Sequence, residues 1–191
     1  MKTKPGEKEK LREKILDQSI KVIKKKGILG ASVDTIMESL GLTSGALYSH
    51  FSGKDELLAL SIEKQISSLT DFISALIEKD RKEGFRNWIK YYLSEEHVRN
   101  LSNGCIFAAL LSDAARGPQK RIKTEFQTGL DKFYSALEKG LPDEHKDKRR
   151  TVQSIFSMMI GSLSIARTMK LGADRDEYLK SILASVLHML P

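Results

Sequence analysis

One cysteine in 191 residues excludes an intramolecular disulfide and any site built from several thiolates. Long apolar runs are also missing: no stretch of about 18 apolar residues occurs, so no membrane span is expected. The start, Met1 to Lys10, is polar and lysine-rich around Pro5-Gly6, without the apolar segment a secretory signal needs. A basic arm or frayed tail on a cytoplasmic protein is the expectation. The four histidines, His50, His97, His145 and His188, have neither metal-ligand spacing nor a nucleophile and acid gathered around them. No metal, cofactor or catalytic residue is therefore assigned, and an enzyme is not expected.

What is present is charge, unevenly placed. The chain carries a net +7, and residues 1–54 hold 11 Lys/Arg against 6 Asp/Glu, or +5 of it. That bias permits a nucleic-acid partner without requiring one, since a solvated lysine face has the same composition. Lys24, Lys25 and Lys26 pose the same choice between phosphate contact and a solvated helix end.

The periodicity is helical from end to end, which predicts an all-α protein. Leu11, Ile15, Leu16, Ser19, Val22 and Ile23 share one face of a first helix, and Gly27 stops it. Ser32 is a good N-cap for a two-turn helix with Asp34 in its first turn and Ile36 and Leu40 on its apolar face. Gly41 suits the left-handed residue that closes this helix, Leu42 plugs the gap, and Thr43 is placed to cap the next. That next helix, Ser44 to Phe51, turns Leu47 and Phe51 inward. Ser52-Gly53 break it, and a long bracing helix begins at Lys54-Asp55.

A short helix, a tight glycine turn, a second short helix and a brace make a helix-turn-helix, whose second helix enters a DNA major groove. The residues expected to contact DNA are Ser32, Asp34, Thr43, Ser44, Gly45, Ala46, Tyr48, Ser49, His50 and Lys54. Small groups at Ser44, Gly45 and Ala46 allow close approach to base edges. Tyr48, Ser49, His50 and Lys54 reach the phosphate backbone on either side.

The run from Ser32 to Leu58, "SVDTIMESLGLTSGALYSHFSGKDELL", resembles the DNA-binding signature of the tetracycline-repressor (TetR/AcrR) family. The likeness rests on Ser32-Val33, Ile36, Gly41-Leu42-Thr43, Gly45, Leu47-Tyr48, His50-Phe51, Lys54 and Leu57-Leu58. Three positions depart from it: Met37 stands where alanine is commonest, Ile23 where phenylalanine is, and Asp34 where a basic or neutral residue often sits. The resemblance implies an N-terminal arm and helix-turn-helix domain over 1–54 and a helical ligand-binding and dimerisation domain over 55–191.

In the second region, aromatic and thioether residues that suit an irregular apolar ligand are Trp88, Tyr92, Phe107, Leu111, Phe126, Leu130, Phe133, Met158 and Met159, each equally serviceable as plain core. No buried ionisable cluster advertises a ligand's charge. Cys105, expected in the first turn of its helix where a thiol pKa can be lowered, joins this set; in one branch of the resembled family a cysteine here senses oxidants or electrophiles. The last two helices, Arg150 to Met169 and Asp174 to Leu190, are apolar on several faces, which predicts a two-fold four-helix interface through Ile155, Met159, Ser162, Ala166, Leu179, Ile182, Leu183 and Val186. The resemblance thus implies a homodimeric regulator whose partners are a double-stranded near-palindromic operator and a small, largely apolar or electrophilic inducer that releases it. The alternative is a helical nucleoid-associated or protein-interaction module that binds DNA without an inducer.

Overall fold

The computed structural model describes residues 6–191; Met1 to Pro5, half of the expected arm, lie outside the described residues. The described residues are helical throughout, in the order α1 (Glu7–Gly30), α2 (Val33–Glu38), a 3-10 segment η1 (Ser44–Ser49), α3 (Lys54–Lys79), α4 (Arg81–Tyr92), α5 (Glu95–Arg99), α6 (Ile106–Arg116), α7 (Lys120–Glu138), α8 (Lys148–Ala166) and α9 (Ala173–His188).

The first helix starts earlier than the sequence suggests, so Glu7 to Lys10 are helical rather than frayed. Its break falls at Gly27, whose φ of 77° and ψ of 167° interrupt the ladder three residues before the helix ends. The freed amide of Ile28 does not go unpaired: it donates to Asp113 Oδ2 at 2.9 Å, a bond from the end of α6. Ile15, Leu16, Ile23 and Ile28 are buried beneath this helix, against α3 and α6.

The long α3 is the spine of the molecule. Leu57, Leu58, Ile62, Ile66, Ile73 and Ile77 line its buried side, where α7, α4 and α1 meet it. Asp80 ends α3 and caps α4, accepting the Glu83 amide at 2.9 Å, which sets the sharp corner between them. Ser94 caps α5 in the same way. That five-residue helix is too short for periodicity to show and was not foreseen.

Below the head, Trp88, Phe107, Phe133 and Phe156 form one aromatic cluster; the Phe133 and Phe156 centroids are 4.8 Å apart, and Phe107 meets Phe156 edge to face at 5.4 Å. Tyr92 and Trp88 extend it through α4. Rings so placed gain roughly 0.5–1.5 kcal/mol per pair beyond their buried area. The closing pair α8 and α9 pack on each other and on α4, α6 and α7.

Candidate nucleic-acid interface

The head is assembled from α1, α2, η1 and the start of α3. Ser32 caps α2 by accepting the Thr35 amide at 3.0 Å. Gly41, at φ +69°, reverses the chain, and the amides of Gly41 and Leu42 donate to the carbonyls of Glu38 and Met37 at 2.9 and 3.0 Å. Ile36, Met37, Leu47 and Phe51 are buried between these pieces, each contributing roughly 1.5–3 kcal/mol by burial. Their inward direction fixes which side chains of η1 face out.

The second element is a 3-10 segment, not the expected α-helix to Phe51. Its amides pair three residues back, Ala46 with Thr43 O at 3.0 Å and His50 with Leu47 O at 2.9 Å. Ser44, Gly45 and Ser49 are weak helix formers, and the segment is too short to offset them. Thr43 occupies the N-cap position, but its side chain makes no capping bond.

Tyr48 is 68% exposed, and Ser32, Asp34, Thr43, Gly45 and Ser49 are exposed beside it. Ser44, Ala46, His50 and Lys54 are half-buried. None of the ten candidate DNA-contacting residues is buried. Asp34, the position least expected there, accepts a hydrogen bond from the Ser44 hydroxyl. It joins α2 to η1 across the turn, so its carboxylate positions the second element from the first.

Two basic residues on α1 belong to this surface and were not singled out from the sequence. Lys8 and Arg12 lie close enough to His50 that their charges, after burial itself, hold its pKa below the usual imidazole value. His50 is thus neutral near pH 7. The Arg12 guanidinium sits 5.0 Å over the Phe51 ring. Their spacing on an otherwise mixed helix gave no signal, because only the fold brings α1 to the end of η1. By contrast Lys24, one of the three lysines with a possible phosphate role, is 9% exposed and turned inward, its Nζ donating to Gly104 O at 2.9 Å. Lys25 and Lys26 remain exposed.

Residues 15–60 match the family model described as bacterial regulatory proteins, tetR family. That stretch, from α1 into α3, is a tetR-family DNA-binding region. Among TetR-family relatives, the chain is 38% identical over 72 residues to the HTH-type transcriptional regulator PksA of Bacillus subtilis, a match covering 38% of this chain and 35% of that protein. It is 30% identical over 63 residues to IcaR of Staphylococcus epidermidis, named as a negative transcriptional regulator of the biofilm operon icaADBC, covering 33% and 34%. The matches thus span about a third of these relatives' lengths. Beyond the head the likeness is one of fold: reduced E. coli NemR superposes with a TM-score of 0.78 at 14% identity over 95% of this chain and 97% of that one. A TetR regulator from Legionella pneumophila gives 0.79 at 19% over 94% and 97%.

The residues proposed to line a ligand pocket divide on inspection. Trp88, Tyr92 and Cys105 border a cleft of about 340 Å³ between α3, α4 and the α5–α6 connection, together with Gln65, Leu69, Phe72, Tyr91, His97, Asn103, Gly104 and Ile106. Phe107, Phe126, Phe133 and Met159 are closed core, and Leu111 and Leu130 pack partly buried against it. Met158 faces outward on α8. The ring of Phe107 is enclosed by Phe126, Phe133 and Phe156, which accounts for the absence of these side chains from the cleft wall.

Cys105 is the N-cap residue of α6, with its thiol buried, and burial pushes that thiol up rather than down. The helix-terminus argument for a reactive thiolate is overridden by desolvation. A buried ionisable group also exists where none was expected, formed by Lys24, His97 and Arg167 around Cys105.

Six of the eight residues expected at a dimer interface, Ile155, Met159, Ser162, Ala166, Leu179 and Val186, are buried in the chain's own core. Ile182 and Leu183 are half-buried. The sequence placed the apolar helices correctly but not their rotation: with apolar residues on several sides, periodicity alone does not say which face the chain fills itself.

Proposed function

We propose that the chain is a homodimeric, ligand-responsive transcriptional regulator of the cytoplasm, acting as a repressor that leaves a near-palindromic operator when a small molecule occupies the C-terminal body. The observation that carries this reading is the head: a capped α2, a glycine-reversed turn and a second element in which the small residues Gly45 and Ala46 precede Tyr48, His50 and Lys54, none of them buried. Small groups admit the segment to a groove, and the flanking donors hold phosphates. The named negative regulator among the relatives agrees with repression. In this reading residues 1–54 are the reading head and 55–191 the regulatory body.

Dimerisation is supported by the outer face of α8. Ser154, Ser157, Met158, Gly161, Ser164 and Ile165 form an exposed uncharged stripe, with Ile165 53% exposed. The Ser164 hydroxyl is already bonded to Ile160 O at 3.0 Å, and Ser185 on α9 to Ser181 O at 3.0 Å, so this face brings few unsatisfied groups into a contact. These residues replace the buried six as the proposed interface, alongside Ile182 and Leu183. The 340 Å³ cleft favours an inducer over a DNA-binding module without one.

Selection of bound duplexes from random DNA tests the reading. Two inverted half-sites are expected. Recovery of sequences no different from the starting pool would refute sequence-specific regulation.

A further inference from the structure

The cleft has an apolar mouth and a polar floor. Phe72 and Tyr91 are exposed at its rim, Leu69 is half-buried, and Trp88 lines the wall at 4% exposure. Deeper, Tyr92 is 3% exposed and lines the space, and its hydroxyl lacks a hydrogen-bond partner. Its polar neighbour is the Cys105 thiol, a weak partner with which it makes no well-formed bond.

Two cations stand behind that floor. Lys24 reaches from α1, its Nζ 2.9 Å from Gly104 O and 3.5 Å from Gln65 Oε1, both cleft-lining residues. Arg167 reaches from α8: its Nε donates to Val98 O at 3.3 Å, while Nη2 is buried without a partner. A Cβ at residue 104 would lie 2.7 Å from that Nη2, so Gly104 is what lets the guanidinium come up to the cleft wall.

Neither cation has a carboxylate within ion-pair distance among the described residues. Arg175, buried in the same half of the molecule, shows the ordinary solution: it is paired with Glu95. A buried cation without an anion is costly, because solvation is lost and nothing replaces it. His97 cannot supply the missing charge. Its Nε2 accepts the Cys105 amide at 3.2 Å, which leaves the proton on Nδ1, donated to Tyr92 O at 2.7 Å, and the ring neutral. Nor does Cys105 supply it, because burial favours the protonated thiol.

We propose that the cleft binds an organic anion, its carboxylate-like head received by Lys24, Arg167 and Tyr92 and its aromatic or alkyl body lying against Leu69, Phe72, Trp88 and Tyr91. The inference rests on the reading of the chain as ligand-responsive and gives that ligand a charge and a shape. Lys24 belongs to α1, the helix that also carries Lys8 and Arg12 to the DNA-binding surface. An anion that draws Lys24 from Gly104 O therefore acts on the head through a single helix.

Trp88 is the sole tryptophan of the chain and lines the cleft, so its fluorescence reports occupancy. The probes are 4-phenylbutanoate and its primary amide, equal in shape and different in charge. The acid should quench saturably and bind the wild type about tenfold or more tightly than the amide, the effect of one charge-assisted contact. Lys24→Met should abolish that preference and Lys24→Arg retain it. Equal affinities for acid and amide, no saturable quenching by either, or a preference that survives Lys24→Met would each overturn the proposal; the wild-type comparison decides even if a variant does not fold. Binding of the selected duplex is measured separately. A protein that binds it without preferring the acid refutes the anion site alone, whereas one that prefers the acid and binds no duplex refutes the regulator reading and leaves the anion site standing.

Discussion

Lys24 should make the protein more stable as the solution becomes alkaline, in a window where most proteins lose stability. Burial, the largest cause, lowers its pKa from 10.5 to about 8. Below pH 8 the folded chain holds a charged, poorly solvated ammonium, and the full penalty applies. Between pH 8 and 10.5 the folded state gives up this proton while the unfolded state keeps it, so unfolding free energy rises with pH. The whole difference corresponds to about 3 kcal/mol. For a chain of this size that is roughly 6–12 °C in melting temperature. Lys24→Met removes the group, so wild type minus variant isolates its contribution from tyrosines and other groups titrating in the same range. Thermal and urea melts followed by circular dichroism at pH 7 and pH 10 should show the variant favoured at pH 7 and the difference shrinking by about 2.5 kcal/mol at pH 10. Parallel pH profiles for the two proteins would refute the claim that this ammonium is held without a counterion.

Further outcomes concern the head, the proposed dimer face and the break at Gly27. Lys54→Ala should weaken binding to all duplexes and flatten the salt dependence by about 0.9 in log–log slope for each lost phosphate contact, measured by fluorescence anisotropy across salt concentrations; an unchanged slope would remove Lys54 from the contact set. Ile165→Glu should give a monomer in light scattering, and affinity for the selected palindrome should fall by about 10²–10⁴ with the loss of bivalency; a dimer of unchanged strength would exclude the α8 stripe. Gly27→Ala should lower stability by about 1–3 kcal/mol, because φ of 77° disfavours a side chain and the added Cβ would stand 2.5 Å from Asp113 Oδ2. An unchanged melting temperature would count against the tie between Ile28 and Asp113.

The head was legible in the sequence because its signals are local. Ser32 as a cap, Gly41 as the reversal and the inward spacing of Leu47 and Phe51 each act within a few residues, and each is found where it was expected. What failed was mostly tertiary. The inward turn of Lys24 depends on Gly104, eighty residues away, and the approach of Arg167 on the missing side chain at the same glycine. The rotation of α8 depends on which of its several apolar faces α9, α7 and α6 cover. Cys105 illustrates two rules in competition: its place at a helix start favours a thiolate, its burial opposes one, and only the fold says that burial is complete enough to prevail.

The arrangement of α6 gives the proposed regulation a route from the cleft to the head. The carbonyl of Gly104, just before α6, holds Lys24 Nζ, and Asp113, in its last turn, holds the amide of Ile28. Both partners lie on α1, on either side of the break at Gly27. A helix advances about 1.5 Å per residue, so the helical part between the two ties, Ile106 to Asp113, is roughly 10 Å of one stiff element. Such an element transmits displacement rather than absorbing it, and Gly27, where the α1 ladder is already broken, is the place between the ties that can turn. In the proposed regulation, a ligand that moved Gly104 or took Lys24 from it would change one tie and leave the other, so that α1 could turn about the Asp113 contact. The required asymmetry is in the two bonds: one joins a lysine side chain to the carbonyl of a cleft-lining residue, the other a backbone amide to a carboxylate in the last turn of α6.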